Sequence, residues 1–200
     1  MKKLFILLII TAMIYAFMIC AISSVGGYRN LLLLEFTCSP DKLNLINEVF
    51  SNNDNITGTS IYKRHAGQSI AAYGRKADSI SVYEIDESLR DFYNIKIMEG
   101  RFIWNTDSDR NLKYVVLDSK NAIDLFATLK CVGQSVRIFD ADYMVAGVYE
   151  PKESLLSELS AVEHGVCFIP SDFNNSSSDS YIAMLRVREG SSFIMANTLK

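Results

Sequence analysis

The sequence FYNIKIMEGRF occupies residues 92–102 and combines an alternating apolar pattern with a glycine. Ile95, Lys96 and Ile97 alternate apolar and polar side chains, which is typical of a half-buried β-strand. Gly100 interrupts this pattern and indicates a backbone turn that a Cβ atom would strain. The stretch therefore predicts a short extended segment that is broken at the glycine.

The residues that follow predict short regular elements joined by polar loops. Residues 105–111 are acidic and polar, and we expect them to form a loop. Asp140-Ala141-Asp142 separates two apolar segments, an arrangement that is typical of a β-hairpin. The elements predicted in this region are strands at 114–117, 136–139 and 143–148 and a short helix at 119–127.

A β-α-β unit is predicted nearer the N-terminus. The run LLLLEFTC at 31–38 is short and apolar, which indicates a buried strand. Ser39 and Pro40 then favour a helix start, because serine caps helices and proline suits the first helical turn. The helix is expected to end near residues 52–53 among turn-forming residues, and the alternation over 56–62 predicts the second strand.

The remaining elements complete a mixed α+β pattern. Gly67, Gly74 and scattered charges predict a loop or weak strand over 64–78. The other predicted elements are strands at 79–85, 166–169 and 181–187, a short helix or turn at 87–93, helices at 151–163 and 191–200, and a polar loop at 173–180.

Residues 4–28 contain no charged side chain, and Lys2 and Lys3 precede them. About 20 apolar residues suffice to span a bilayer as a helix, so this segment fits either a membrane anchor or a cleaved signal peptide. The anchor is favoured because the apolar run Leu4–Val25 is longer than an ordinary signal sequence, and its best cleavage candidate, residues 21–23, is poor. The two lysines predict a cytoplasmic N-terminus.

The charge balance excludes nucleic acid as a partner. The chain has 20 Lys+Arg and 23 Asp+Glu, and two of the lysines precede the apolar segment. Residues 29–200 therefore carry 18 basic and 23 acidic side chains, a net charge of −5. A nucleic-acid-binding surface requires clustered positive charge, which this sequence does not provide.

The four cysteines do not indicate a disulfide framework. Cys20 lies in the apolar segment, which leaves the odd set Cys38, Cys131 and Cys167. A single bridge between Cys131 and Cys167 stays open at this point. The other interpretation is that these residues are small buried thiols that pack as apolar side chains.

The sequence contains no motif for catalysis or for nucleotide binding. Its two histidines, His65 and His164, have no metal-ligand spacing, and no Gly-x-Ser-x-Gly motif is present. Residues 74–76 (Gly-Arg-Lys) lack the lysine–hydroxyl pair of a phosphate-binding loop. The sequence therefore indicates that this chain does not bind ATP through such a loop.

Two pairs of aspartates are candidate cation ligands. Asp107 with Asp109 and Asp140 with Asp142 lie in polar segments, but no EF-hand pattern surrounds either pair. We interpret all four as solvated turn acids. We therefore predict no catalytic, cofactor-binding or metal-binding residues, and no enzyme activity.

Residues 89–148 contain a series of motifs that together resemble a known family. The motifs are Gly100-Arg101-Phe102, the acidic loop with Asp107 and Asp109, the helix end Leu125-Phe126, the turn 132–136 (VGQSV) and the strand 143–148 (YMVAGV). Their order and spacing resemble the extracytoplasmic core domain of MacB-like ABC transporter permeases. An N-terminal membrane helix that leads into the domain is also similar to those permeases.

The resemblance implies a domain organisation. Residues 1–28 would be the transmembrane anchor, and residues 29–200 would form the extracytoplasmic α+β core domain. Within that domain, a β-α-β lobe would combine 31–63 with 180–200, and a β-rich lobe would be inserted at about 79–170. Such permeases return to the membrane through three further helices, which these 200 residues lack, so the chain is expected to be a fragment.

The resemblance also implies a function in the cell membrane. The domain would couple ATPase-driven motion of membrane helices to substrate export or to engagement of a partner, without a cofactor. Its partners would be a separate ABC ATPase, a second permease subunit in a dimer, and membrane lipid. The alternative is a single-pass, membrane-anchored extracytoplasmic binding protein.

Overall fold

The computed structural model describes residues 30–93, 95–151, 165–171 and 179–188. These residues form a strand-rich α+β fold with few helices, which confirms the predicted class. The strands are β1 (Leu31–Cys38), β2 (Ile56–Ala72), β3 (Arg75–Ile85), β4 (Ile95–Gly100), β5 (Tyr114–Asp118), β6 (Ser135–Ile138), β7 (Ala141–Pro151), β8 (Val166–Pro170) and β9 (Asp179–Val187). The helices are α1 (Leu43–Ser51), α2 (Asn105–Asp109) and α3 (Ser119–Phe126), with 3₁₀ helices at Pro40–Lys42 and Glu87–Asp91.

The β-α-β unit has a third strand inserted between its two strands. Strand β9 lies between β1 and β2 and runs antiparallel to both. The parallel strands β1 and β2 are therefore joined by a crossover through α1. Leu43 and Phe50 of α1 belong to one buried cluster with Tyr181 and Leu185 of β9, which holds the helix on the sheet.

Six strands close into a ring in the order β2, β3, β8, β5, β7 and β6, because β6 pairs with both β7 and β2. A single residue pair, Ala71 and Arg137, joins β2 to β6. All six strands contribute to one buried cluster, which includes the fully buried Val82, Leu117 and Val148. Helix α3 adds Leu125 to the same cluster, so the interior of the ring is a packed core.

A second, aromatic cluster lies on the opposite face of these strands. Val116 and Phe168 belong to it, whereas their chain neighbours belong to the ring core, as the two-residue period of a strand requires. The Phe168 ring contacts four aromatic rings at centroid separations of 5.1–6.2 Å. These rings belong to Tyr83, Tyr93, Phe102 and Tyr149.

The prediction of a loop or weak strand over 64–78 is wrong. Strand β2 continues to Ala72, and β3 begins at Arg75 after the two-residue turn Tyr73-Gly74. Gly67 adopts a φ of 68° at a break in the register between β2 and β3. A bulge of this kind bends a strand without ending it, so the glycine does not mark a loop.

Two further predictions need smaller corrections. The predicted loop 105–111 contains helix α2, because the Asp107 carboxylate accepts a hydrogen bond from Trp104 N at 2.9 Å and stabilises the first turn. The hairpin between β6 and β7 turns at Phe139-Asp140, one residue earlier than predicted. The other strands and helices predicted within the described ranges are present.

Several predictions fall on residues that the structure does not describe. The predicted anchor at 1–28 and the predicted helix at 191–200 lie outside the described ranges. The predicted helix at 151–163 and the predicted loop at 173–180 lie outside them except for residues 151, 179 and 180. Within the described ranges, no helix combines the length and the apolar character needed to cross a membrane. The division into two lobes stays a prediction.

Candidate functional site

Arg101 and Asp107 form a bidentate ionic contact directly after β4. Arg101 Nη1 donates to Asp107 Oδ2 at 2.6 Å, and Nη2 donates to Oδ1 at 2.8 Å. The Asp107 side chain is only 2% exposed, which corrects its interpretation as a solvated turn acid. Two parallel hydrogen bonds fix the orientation of both groups, so the pair ties the segment after β4 to helix α2.

Aromatic rings and the local charge hold this pair in place. The Arg101 guanidinium lies 4.1 Å from the Trp104 ring centroid and 5.0 Å from that of Tyr114. Burial raises the pKa of Asp107, but hydrogen bonds from Arg101 and from Trp104 N outweigh burial and keep this pKa below its ordinary value. The ionised carboxylate is engaged by its neighbours and braces the turn.

Gly100 and Gly147 face each other across β4 and β7. A Cβ atom on Gly147 would lie 2.2 Å from the Arg101 carbonyl oxygen, and one on Gly100 would lie 2.2 Å from the Ala146 carbonyl oxygen. Gly100 also has a φ of 69°, in agreement with the turn predicted there. The close approach of the two backbones therefore requires glycine on both strands.

Asp118 joins the end of β5 to the start of β8. Its carboxylate caps helix α3 by accepting a hydrogen bond from Asn121 N at 2.5 Å, and it accepts a second from Val166 N at 3.2 Å. Burial raises the pKa of Asp118 above its ordinary value, although these two hydrogen bonds oppose the rise. The carboxylate is only 4% exposed and is used to satisfy backbone donors.

We predict that Asp118→Ala lowers the free energy of unfolding by about 2–3 kcal/mol, because the buried N–H group of Asn121 and the half-buried one of Val166 lose their acceptor. Asp118→Asn keeps one acceptor, and its free energy of unfolding is expected to decrease less.

Because the folded-state pKa of Asp118 is raised, the stability of the wild type decreases as pH rises from the ordinary aspartate pKa through the raised value. Urea unfolding of both variants at several pH values tests this, with the exposed Asp109→Ala as control; equal effects at positions 118 and 109 would contradict it.

The two histidines do not meet in a site. His65 Nε2 lies 3.0 Å from Glu84 Oε1, and the His65 ring packs against Phe139 at a centroid distance of 5.0 Å. His164 lies outside the described residues. Across the ranges that the structure describes, no group of three or more His, Cys, Asp and Glu side chains is placed to hold a metal ion.

The aspartate pairs do not converge either. Asp107 turns inward to Arg101, whereas Asp109 is exposed. Asp140 is exposed at the hairpin turn and lies 3.9 Å from Arg137, and Asp142 is exposed on β7. Neither pair therefore directs two carboxylates at one point, and three of the four residues fit the prediction of solvated acids.

The cysteines of the described ranges are free thiols. Cys131 and Cys167 are both buried in the ring core and form no disulfide bond. Burial, reinforced by the Glu99 carboxylate, raises the pKa of Cys131 to about 11. Burial and the nearby Asp118 also raise the pKa of Cys167. These thiols are protonated at neutral pH and pack as apolar side chains.

The described residues define a class of protein: a strand-rich α+β domain whose buried charges brace turns. The model of the MacB-like periplasmic core domain matches residues 11–197 of this chain. The chain therefore belongs to the MacB-like periplasmic core domain family, which confirms the resemblance seen in the motifs of 89–148. This family is a domain of transporter permeases and is not known as a class of enzymes.

Solved structures support the fold at low sequence identity. The periplasmic region of MacB from Actinobacillus actinomycetemcomitans is 18% identical, with a TM-score of 0.65 over 88% of this chain and 83% of that chain. The extracellular domain of the noncanonic ABC-type transporter YknZ from Gram-positive bacteria is 14% identical, with a TM-score of 0.60 over 83% and 88%. A domain of a putative permease protein from Porphyromonas gingivalis is 13% identical, with a TM-score of 0.60 over 86% and 82%. A comparison with curated proteins gives no match.

Proposed function

We propose that this chain is the extracytoplasmic portion of an ABC transporter permease subunit. The apolar segment 4–25 anchors it in the cell membrane with a cytoplasmic N-terminus, and the residues after about 28 fold on the other side. The observation that carries the proposal is the family match over residues 11–197, together with the strand-rich fold that it shares with solved permease domains.

The proposed role is mechanical. Strand β1 begins only a few residues after the anchor and pairs with β9 along its whole length, from Leu31 to Cys38. Strand β9 pairs in turn with β2, which continues into the six-strand ring. Movement of the anchor is therefore passed through hydrogen-bonded strands to the ring, which supports coupling of membrane-helix motion to substrate export or partner engagement.

The energy for such motion comes from another subunit. The sequence has no phosphate-binding loop, so we assign ATP hydrolysis to a separate ABC ATPase. A second permease copy would complete a dimer around the transport path. In this arrangement the chain binds no cofactor and catalyses no reaction.

The proposal predicts that an ABC ATPase gene lies beside the gene of this chain and that its product, the cognate ATPase, copurifies with the intact permease. Both are co-expressed, and the membranes are solubilised and captured through a tag on the permease. An ABC ATPase from an unrelated importer in the same host serves as the control. Capture of the cognate ATPase alone is the expected result. A chain that enters the membrane and captures neither ATPase would contradict the proposal and favour the anchored binding protein.

A further inference from the structure

One end of the sheet lies where the chain enters the domain from the anchor segment. Val187 N donates to Asn30 O at 2.8 Å, and Arg188 N donates to Asn55 O at 2.8 Å. The start of β1, the start of β2 and the end of β9 therefore meet here. We call this region, with the neighbouring 3₁₀ helix Glu87–Asp91, the anchor end.

We propose that Arg186 and Arg188 at the anchor end bind the phosphate groups of anionic lipids. This contact rests on the proposed anchor at residues 4–25. Both arginines are exposed. Arg186 is the second-last residue of β9, and Arg188 directly follows the strand. Arginine suits this task because its planar guanidinium binds phosphate through two parallel hydrogen bonds.

The length of the connecting chain places these arginines near the bilayer. Five peptide units separate Val25, the last residue of the apolar run, from Asn30. Even when fully extended, five residues span at most about 18 Å. Val187 is hydrogen-bonded to Asn30, and Arg186 and Arg188 are its chain neighbours. The distance from the end of the anchor to these arginines is therefore limited to the length of the connecting chain plus the separation of two paired strands.

The charge distribution favours this end over the rest of the domain. The anchor end has three exposed arginines, Arg90, Arg186 and Arg188, and three exposed acids, Asp54, Glu87 and Asp91, so its exposed side chains have a net charge of zero. Arg29 and Glu189, which flank the described residues in sequence, cancel. Because residues 29–200 carry −5 in total, the remainder of the domain carries the whole −5, and an anionic bilayer repels the neutral anchor end less than the remainder taken as a whole.

Arg186 is also held in position before any lipid arrives. Its guanidinium lies 4.9 Å from the Phe92 ring centroid, and its Nη2 donates to Asp91 O. Phe92 in turn lies against Gly58 of β2, where an added Cβ would be 3.4 Å from the ring. A guanidinium ordered in this way loses less conformational freedom on binding a phosphate.

The test uses the full chain in lipid nanodiscs of phosphatidylcholine, with or without one quarter phosphatidylglycerol. Hydrogen–deuterium exchange is followed in 179–188 and at the start of β2. We expect these amides to exchange at least about fivefold more slowly on the discs that contain phosphatidylglycerol than on those of phosphatidylcholine alone. In the double variant Arg186→Gln/Arg188→Gln this protection should disappear. The control, Arg75→Gln/Arg137→Gln, removes two exposed arginines near the far end of β2, roughly 50 Å along the strand.

Several outcomes would overturn the contact. Equal exchange on the two disc types, or equal loss of protection in the control, removes the role of Arg186 and Arg188. Equal protection by inorganic phosphate on phosphatidylcholine discs assigns the ligand to free phosphate. Because Arg186→Gln also disturbs the contact with Phe92, the single variant Arg188→Gln must reduce the protection as well. Failure of the chain to enter discs overturns the anchor, and with it the proposed function, whereas unchanged exchange in loaded discs overturns the lipid contact alone.

Discussion

Gly147→Ala is expected to lower the free energy of unfolding by about 3 kcal/mol or more. The new methyl group would lie 2.2 Å from the Arg101 carbonyl oxygen, 2.9 Å from Arg101 N and 3.0 Å from its carbonyl carbon. All three are backbone atoms, so relief requires β4 and β7 to separate. For a domain of this size such a loss corresponds to a decrease in Tm of about 6–12 °C. Thermal unfolding of the purified chain in detergent, followed by circular dichroism, measures it.

Gly133→Ala is the matched control for this prediction. Gly133 has a φ of 83°, and a Cβ at that position meets no atom within 4 Å. The substitution therefore adds backbone strain alone, about 1–2 kcal/mol. If Gly147→Ala were no more destabilising than Gly133→Ala, the two strands would not be held at the separation that the structure shows.

Local patterns in the sequence were sufficient for the elements that local chemistry determines. The apolar run that became β1 and the Ser39-Pro40 start of the following helix are examples, because strand burial and helix capping depend on adjacent residues. The local pattern does not predict the hairpin of β2 and β3, because its polar residues and Gly67 resemble a loop. Whether a glycine ends a strand or forms a bulge depends on the partner strand, which the local sequence does not specify.

The bracing residues were harder to predict than the elements. Asp107 and Asp109 are the same residue type two positions apart, yet one is buried against Arg101 and the other is exposed. Gly147 belongs to the motif 143–148, but its contact with Arg101 depends on the register of β4 and β7. The ring closure through Ala71 and Arg137 joins residues far apart in sequence. Such long-range contacts leave no local periodicity to detect.

Asp107→Ala is expected to lower the free energy of unfolding at pH 7 by about 3 kcal/mol. The substitution leaves the Arg101 guanidinium without its bidentate partner and Trp104 N without its acceptor, and helix α2 loses the contact that fixes its first turn. This loss in the free energy of unfolding lies at the low end of the range for a broken buried ion pair, because the Arg101 side chain is 28% exposed and water can solvate it. Urea unfolding at pH 7 gives the difference from wild type.

The pH dependence of this difference separates charge from packing. The folded-state pKa of Asp107 lies below its ordinary value, so the ionised contact contributes fully above the unfolded-state pKa of about 3.9 and is lost as pH falls through the folded-state value. The gap between wild type and Asp107→Ala should therefore narrow below about pH 4. The variant Asp109→Ala, two residues away and exposed, should have nearly the same free energy of unfolding as wild type both at pH 7 and below about pH 4. A gap that stays constant from pH 7 down to pH 3 would mean that lost packing around Trp104, and not the carboxylate charge, causes the destabilisation.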